Sequence, residues 1–122
     1  MPLPMQPQTM HCGNFGAWDE YECKRLLKEL AQQPQKEFAV LWSFDGASRG
    51  NPGQASFGVC AWWGVWNVDG FQQGGPIYSQ GQSIGVAGNN LAEAVGLRAA
   101  CKGLLHFSVW ILQQAAKVAC ER

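Results

Sequence analysis

The sequence predicts an α/β fold with a mixed sheet, an α+β arrangement in which a three-stranded antiparallel meander carries a helix. Three observations predict it. An alternating strand runs into a glycine-rich turn at residues 38–53, a second alternating run follows at 55–66, and a helix with an apolar stripe begins near residue 89. At 122 residues the chain has room for one domain of ordinary size.

Residues 1–16, rich in Pro, Gln and Gly, read as a flexible N-terminal arm. Residues 17–36 read as an amphipathic helix and its linker. Trp18, Tyr21, Leu26, Leu27 and Leu30 recur at near-helical spacing, Asp19, Glu20 and Glu22 precede Lys24, Arg25 and Lys28, and Pro34 stops the helix. Two roles are open to it: docking a partner or nucleic acid, or packing on the domain. Residues 37–122 hold the domain itself.

The strand 38–45 puts Phe38, Val40, Trp42 and Phe44 on one face and Ala39, Leu41, Ser43 and Asp45 on the other. Apolar groups on both faces predict a central strand. Asp45 is out of place there, because a carboxylate at the inner end of a buried strand needs a partner, a proton or a cation. Asp-Gly is also a common turn pair, so Asp45 alone leaves both readings open. Three glycines and Pro52 within Gly46–Gly53 predict an open loop whose N–H groups face an anion, with Arg49 beside it.

The second strand, 55–66, alternates Phe57, Val59, Ala61 and Trp63 with Ser56, Gly58, Cys60 and Trp62. Asn67-Val68-Asp69-Gly70 supplies a turn, in which Asp69 is a turn residue, and Gly74-Gly75-Pro76 lengthens the connection. The third strand, 77–85, has sparse apolar residues and reads as a partly exposed edge. In the helix 89–107, Ala94, Leu97, Cys101 and Leu104 form an apolar stripe, Arg98, Lys102 and His106 a solvated side, and Ala92, Gly96, Ala99, Ala100 and Gly103 allow close approach to the sheet. Glu93 has two readings. It is the N3 partner of an Asn90 cap, or a carboxylate projecting toward Asp45.

Lys plus Arg and Asp plus Glu each total 9, so no net field draws the chain to a polyanion and any nucleic-acid contact is a local patch. The five cysteines, at 12, 23, 60, 101 and 120, form no CxxC pair, which argues against a zinc site and a disulfide framework. They read as intracellular thiols, two of them in the core. No basic n-region or run of 18 apolar residues predicts a secretory or membrane segment.

The run Asp45-Gly46-Ala47-Ser48-Arg49-Gly50-Asn51-Pro52-Gly53, followed by Gly88-Asn89-Asn90-Leu91-Ala92-Glu93, resembles the start of a type 1 ribonuclease H domain over roughly residues 38–107. The resemblance implies hydrolysis of RNA in RNA–DNA hybrids by Mg²⁺ held among four carboxylates. Asp45 and Glu93 match the first two. Ser48, Arg49, Asn51, Asn89 and Asn90 match positions that approach the hybrid's backbone, where 2′-hydroxyls distinguish RNA from DNA. It also implies a short fourth strand near 109–113, parallel to the first because a strand–helix–strand return crosses over. The third carboxylate then falls at Ala115, Glu121 is the one acid left after Glu93, and the fourth lies past Arg122. The expectation is a truncated ribonuclease H-like domain, weak in Mg²⁺ binding and inactive as this chain. The alternative is a non-catalytic remnant that binds nucleic acid or a partner.

Overall fold

A computed structural model describes residues 16–120, so the predicted arm, Cys12 and Glu121 lie outside the described residues, Gly16 excepted. Its elements are β1 (Ala17–Trp18), α1 (Glu20–Gln32), β2 (Glu37–Arg49), β3 (Gly53–Asn67), β4 (Gly70–Ala87) and α2 (Asn89–Cys120). The strands form one sheet in the order β1-β4-β3-β2, and every pair is antiparallel. The class is mixed α+β, with the meander β2-β3-β4 in place.

The predicted parallel strand at 109–113 is absent, because α2 runs unbroken through it to Cys120. After Gly103 no Gly or Pro interrupts the chain, and Leu, Gln, Ala and Lys all favour helix. Ser108 does not break it either, since its hydroxyl donates to the Leu104 carbonyl one turn back at 2.8 Å. β2 is in consequence an outer strand, paired with β3 alone, and not the central strand that its two apolar faces predicted. β4, read as an edge, carries β1 across Tyr78 and Ser79, and its Ile77 and Tyr78 are buried.

The helix also turns a different face to the sheet. Ala92, Gly96, Ala100, Gly103, Phe107, Trp110 and Gln114 form the buried line, while the predicted stripe of Ala94, Leu97, Cys101 and Leu104 is exposed. Contact distance decides between them. A Cβ on Gly103 would fall 2.5 Å from the Trp42 ring, so the small-residue face is the one that lets the backbone come down onto large rings.

β2 is longer than predicted, because Gly46–Arg49 stays in the ladder, from Gly46 opposite Phe57 to Arg49 opposite Gln54. The open loop shrinks to residues 50–52, with Gly50 in the left-handed region at φ 76° and a cis Asn51–Pro52 bond. At the other end of β3 the turn is tight: Asn67 Oδ1 accepts from Asp69 N–H at 2.8 Å, and Gly70 takes φ 104°. Gly74 and Gly75 lie inside β4 at a break in register, where their missing side chains admit the Trp63 ring and the Glu22 carboxylate.

The core lies between the α2 face of the sheet and both helices. Phe57, Val59, Ala61 and Trp63 of β3 meet Ile77, Tyr78, Ala100, Phe107 and Trp110, together with Cys23 and Leu26 of α1. Trp18 joins the layers, with ring centroids 4.5 Å from Tyr78, 5.9 Å from Phe107 and 6.1 Å from Trp42. Asp19 caps α1 by accepting from Glu22 N–H at 2.9 Å, and Arg25 bonds Glu22 at 2.8 Å while stacking 5.2 Å over Trp63. Of the two roles open to α1, packing on the domain is the one observed.

Val109 is exposed on α2, so Val109→Pro tests the helix with little change in packing. It is expected to cost about 3 kcal/mol, read as a fall in the urea midpoint, by deleting one helical hydrogen bond and crowding the Leu105 carbonyl. A second expectation concerns alkali. Burial, helped by Asp19, Glu22 and Glu20, pushes the Cys23 thiol from 9.0 up to about 12, and burial pushes Tyr78 from 10.0 up to about 12. The folded state holds protons that the unfolded chain releases, so stability is full below about pH 8.5 and falls as pH rises toward 12. Urea midpoints at neutral pH and near pH 10.5 check this, and Cys23→Ala should flatten the decline.

Candidate nucleic-acid interface

The two motifs meet at the outer edge of β2. The Ser48 N–H donates to Asn89 Oδ1 at 2.9 Å, and the Asn89 N–H donates to Asn51 Oδ1 at 3.0 Å. The Ser48 hydroxyl lies 2.6 Å from the Gly50 carbonyl and 2.9 Å from Asn89 Oδ1. Residues some forty positions apart are thereby stapled, and the glycine-rich turn is fastened to the start of α2.

The Gly46 and Ser48 N–H groups bond side chains instead of β3, which places both on the open edge of β2. Gly46 donates to Asp45 Oδ1 at 2.9 Å, so the Asp45 carboxylate is held at that edge too. Close beneath it runs α2. A Cβ on Gly46 would run into the Ala92–Glu93 peptide, so the first turn of α2 lies against the Gly46 face of β2, and alternation turns Asp45 to the other face. Both acidic side chains are exposed. Neither is the buried, uncompensated carboxylate that the sequence suggested for Asp45, because an outer strand leaves it in contact with water.

Glu93 is not a capping-box residue. The first α2 hydrogen bond runs from Ala92 N–H to the Gly88 carbonyl at 3.1 Å, which makes Gly88 the cap and puts Asn90 inside the helix. Arg49 ends β2 opposite Gln54 with an exposed side chain, and Asn90 is exposed in the first turn of α2. The expected cradle of loop N–H groups is reduced, since Ser48 N–H is committed to Asn89. Sequence reasoning passed over Gly46 and Ala92 as site residues. Their signal was smallness at two positions beside the acids.

Ala115 does not occupy a third ligand position. It lies on α2, 22 residues beyond Glu93, and at 1.5 Å per residue is about 33 Å away along the helix. Among the described residues no three His, Cys, Asp or Glu side chains form a group that could hold a metal ion. Asp45 and Glu93 are two carboxylates, fewer than a pair of Mg²⁺ ions takes from a protein.

The chain matches no family model, no curated protein and no solved structure in the comparisons made.

Paired substitutions test the contact beneath the site. Gly46→Ala is expected to cost about 1–3 kcal/mol or more, because the added methyl group meets the rigid α2 backbone. Gly58→Ala, on the same pair of strands, meets only Gln80 O at 3.7 Å and should be neutral or stabilising by up to about 1 kcal/mol. Chemical denaturation of the two variants gives the comparison.

Proposed function

We propose that the chain is a ribonuclease H-like module that binds RNA–DNA hybrid along the outer edge of β2 and is a poor catalyst of its hydrolysis. One observation carries the reading. The Ser48–Asn89–Asn51 staple brings together the two sequence motifs that resemble that family, in which Asp45, Arg49 and Glu93 are each exposed.

The residues divide the work by chemistry. Arg49 offers a guanidinium to a backbone phosphate. Asn90 and the free amide end of Asn89 suit 2′-hydroxyls and sugar oxygens, where RNA differs from DNA. By the family resemblance Asp45 and Glu93 would supply carboxylate oxygens to Mg²⁺, which when bound neutralises phosphate charge. Cleavage by two ions needs more carboxylate oxygens than this pair provides, so weak binding without efficient turnover is the expected behaviour.

Affinity should be modest, in the range of about 1–100 µM at physiological salt, since the neutral chain contributes few phosphate contacts. Arg49→Ala is expected to weaken hybrid binding and to lower the slope of log K against log salt by about 1. Labelled hybrid, DNA duplex and RNA duplex, compared by anisotropy in Mg²⁺ and in chelator, provide the measurement. Equal affinity for all three, unmoved by Arg49→Ala and Asn89→Ala, would remove the proposal. Brisk Mg²⁺-dependent cleavage abolished by Asp45→Asn would overturn its catalytic half.

A further inference from the structure

α2 is apolar on two sides, and the sheet covers one of them. On the uncovered side Leu97, Cys101, Leu105 and Val109 make a row at four-residue spacing, all exposed, with Leu97 48 %, Leu105 62 % and Val109 45 % accessible. Leu104 and Leu112, 46 % and 68 % accessible, widen it. Directly beside this row runs another at the same spacing, Arg98, Lys102 and His106, also exposed. The helix over Asn89–Lys117 is long and apolar enough to cross a bilayer by length and composition, yet its inner face is already committed to the sheet.

We propose that this outer face of α2 lies flat in the headgroup layer of an anionic membrane, with the leucine row in the acyl boundary and the cationic row against lipid phosphates and carboxylates. The inference is independent of hybrid binding, which uses the other end of α2 and the edge of β2. It departs from the sequence reading, which foresaw no membrane contact. A leucine row bordered by cations is the pattern of an interfacial helix.

Charge separates this occupant from the others. Between Arg98 and Lys117 the helix carries no acidic residue, so packing it on a second copy of itself would bring Arg98 and Lys102 near their own like charges. An anionic surface is complementary to both. A nucleic acid would satisfy the cations but leave Leu105 and Leu112 in water, whereas a lipid surface buries both rows, with the long Arg and Lys stems reaching outward.

The test uses the full 122-residue chain with vesicles of phosphatidylcholine alone and of phosphatidylcholine with phosphatidylserine in equal parts. Co-sedimentation is expected with the mixed vesicles and much less with the neutral ones. Arg98→Gln with Lys102→Gln should weaken binding to the mixed vesicles on the order of 30-fold. Leu105→Gln with Leu112→Gln should weaken it on both kinds while leaving hybrid affinity unchanged, which also shows that the variant is folded. As a measurement that leaves the leucine and cationic rows of α2 unmutated, an environment-sensitive dye on Cys101, with Cys12, Cys60 and Cys120 changed to Ser, should shift to the blue on mixed vesicles. No binding, binding indifferent to the leucine changes, or a vesicle-free dimer abolished by those changes would each overturn the proposal.

Discussion

The structure depends on how closely α2 approaches the sheet. Gly46 beneath the Ala92–Glu93 peptide and Gly103 over Trp42 are two points where a side chain would hold the layers apart. With the helix seated this low, the Trp42 and Phe107 rings reach Trp18, Trp42 also meets Tyr78, and Trp110 packs on Phe107. Ring contact, more than hydrogen bonding, holds that layer: the indole N–H groups of Trp42, Trp63 and Trp110 are buried without an acceptor.

The same approach shapes the candidate site. Because α2 begins where β2 ends, Asn89 reaches the Ser48 N–H, and the open edge of β2 is blunted at its C-terminal end by Asn89 and by the Asp45 carboxylate over Gly46. Side chains at these positions discourage a further strand from adding there and leave polar groups facing water. The stapled end of the sheet leaves Asp45, Arg49 and Glu93 exposed to water. It does not make a dry pocket, and the chemistry proposed for it is correspondingly that of binding.

A helix apolar on two sides needs two coverings. The sheet supplies one through the small-residue line from Ala92 to Trp110, and the leucines of the other side remain in water with a row of cations beside them. The two proposed binding modes thus draw on different parts of the chain, hybrid binding on the stapled edge at the start of α2 and membrane binding on the length of its outer face.

Local pattern by itself determined the strands β2 and β3, the turn at Asn67–Gly70 and the existence of both helices, while Asp45 and Glu93 became candidates through the family resemblance. Alternation, turn chemistry and helical spacing all act between near neighbours. Three things were decided only in the tertiary structure. The rim of the site was one, since Gly46–Arg49 joined the ladder only because β3 lay alongside to pair with it. The face of α2 was another: hydrophobic spacing favoured the leucine stripe, but the steric demand of Trp42 chose the glycines, a demand that appears only when two layers meet. The fate of residues 109–113 was the third. Short apolar runs fit a strand or a buried helix equally, and here Phe107, Trp110 and Gln114 continued a helical line already anchored against the core, so the helix went on and β2 was left at the edge.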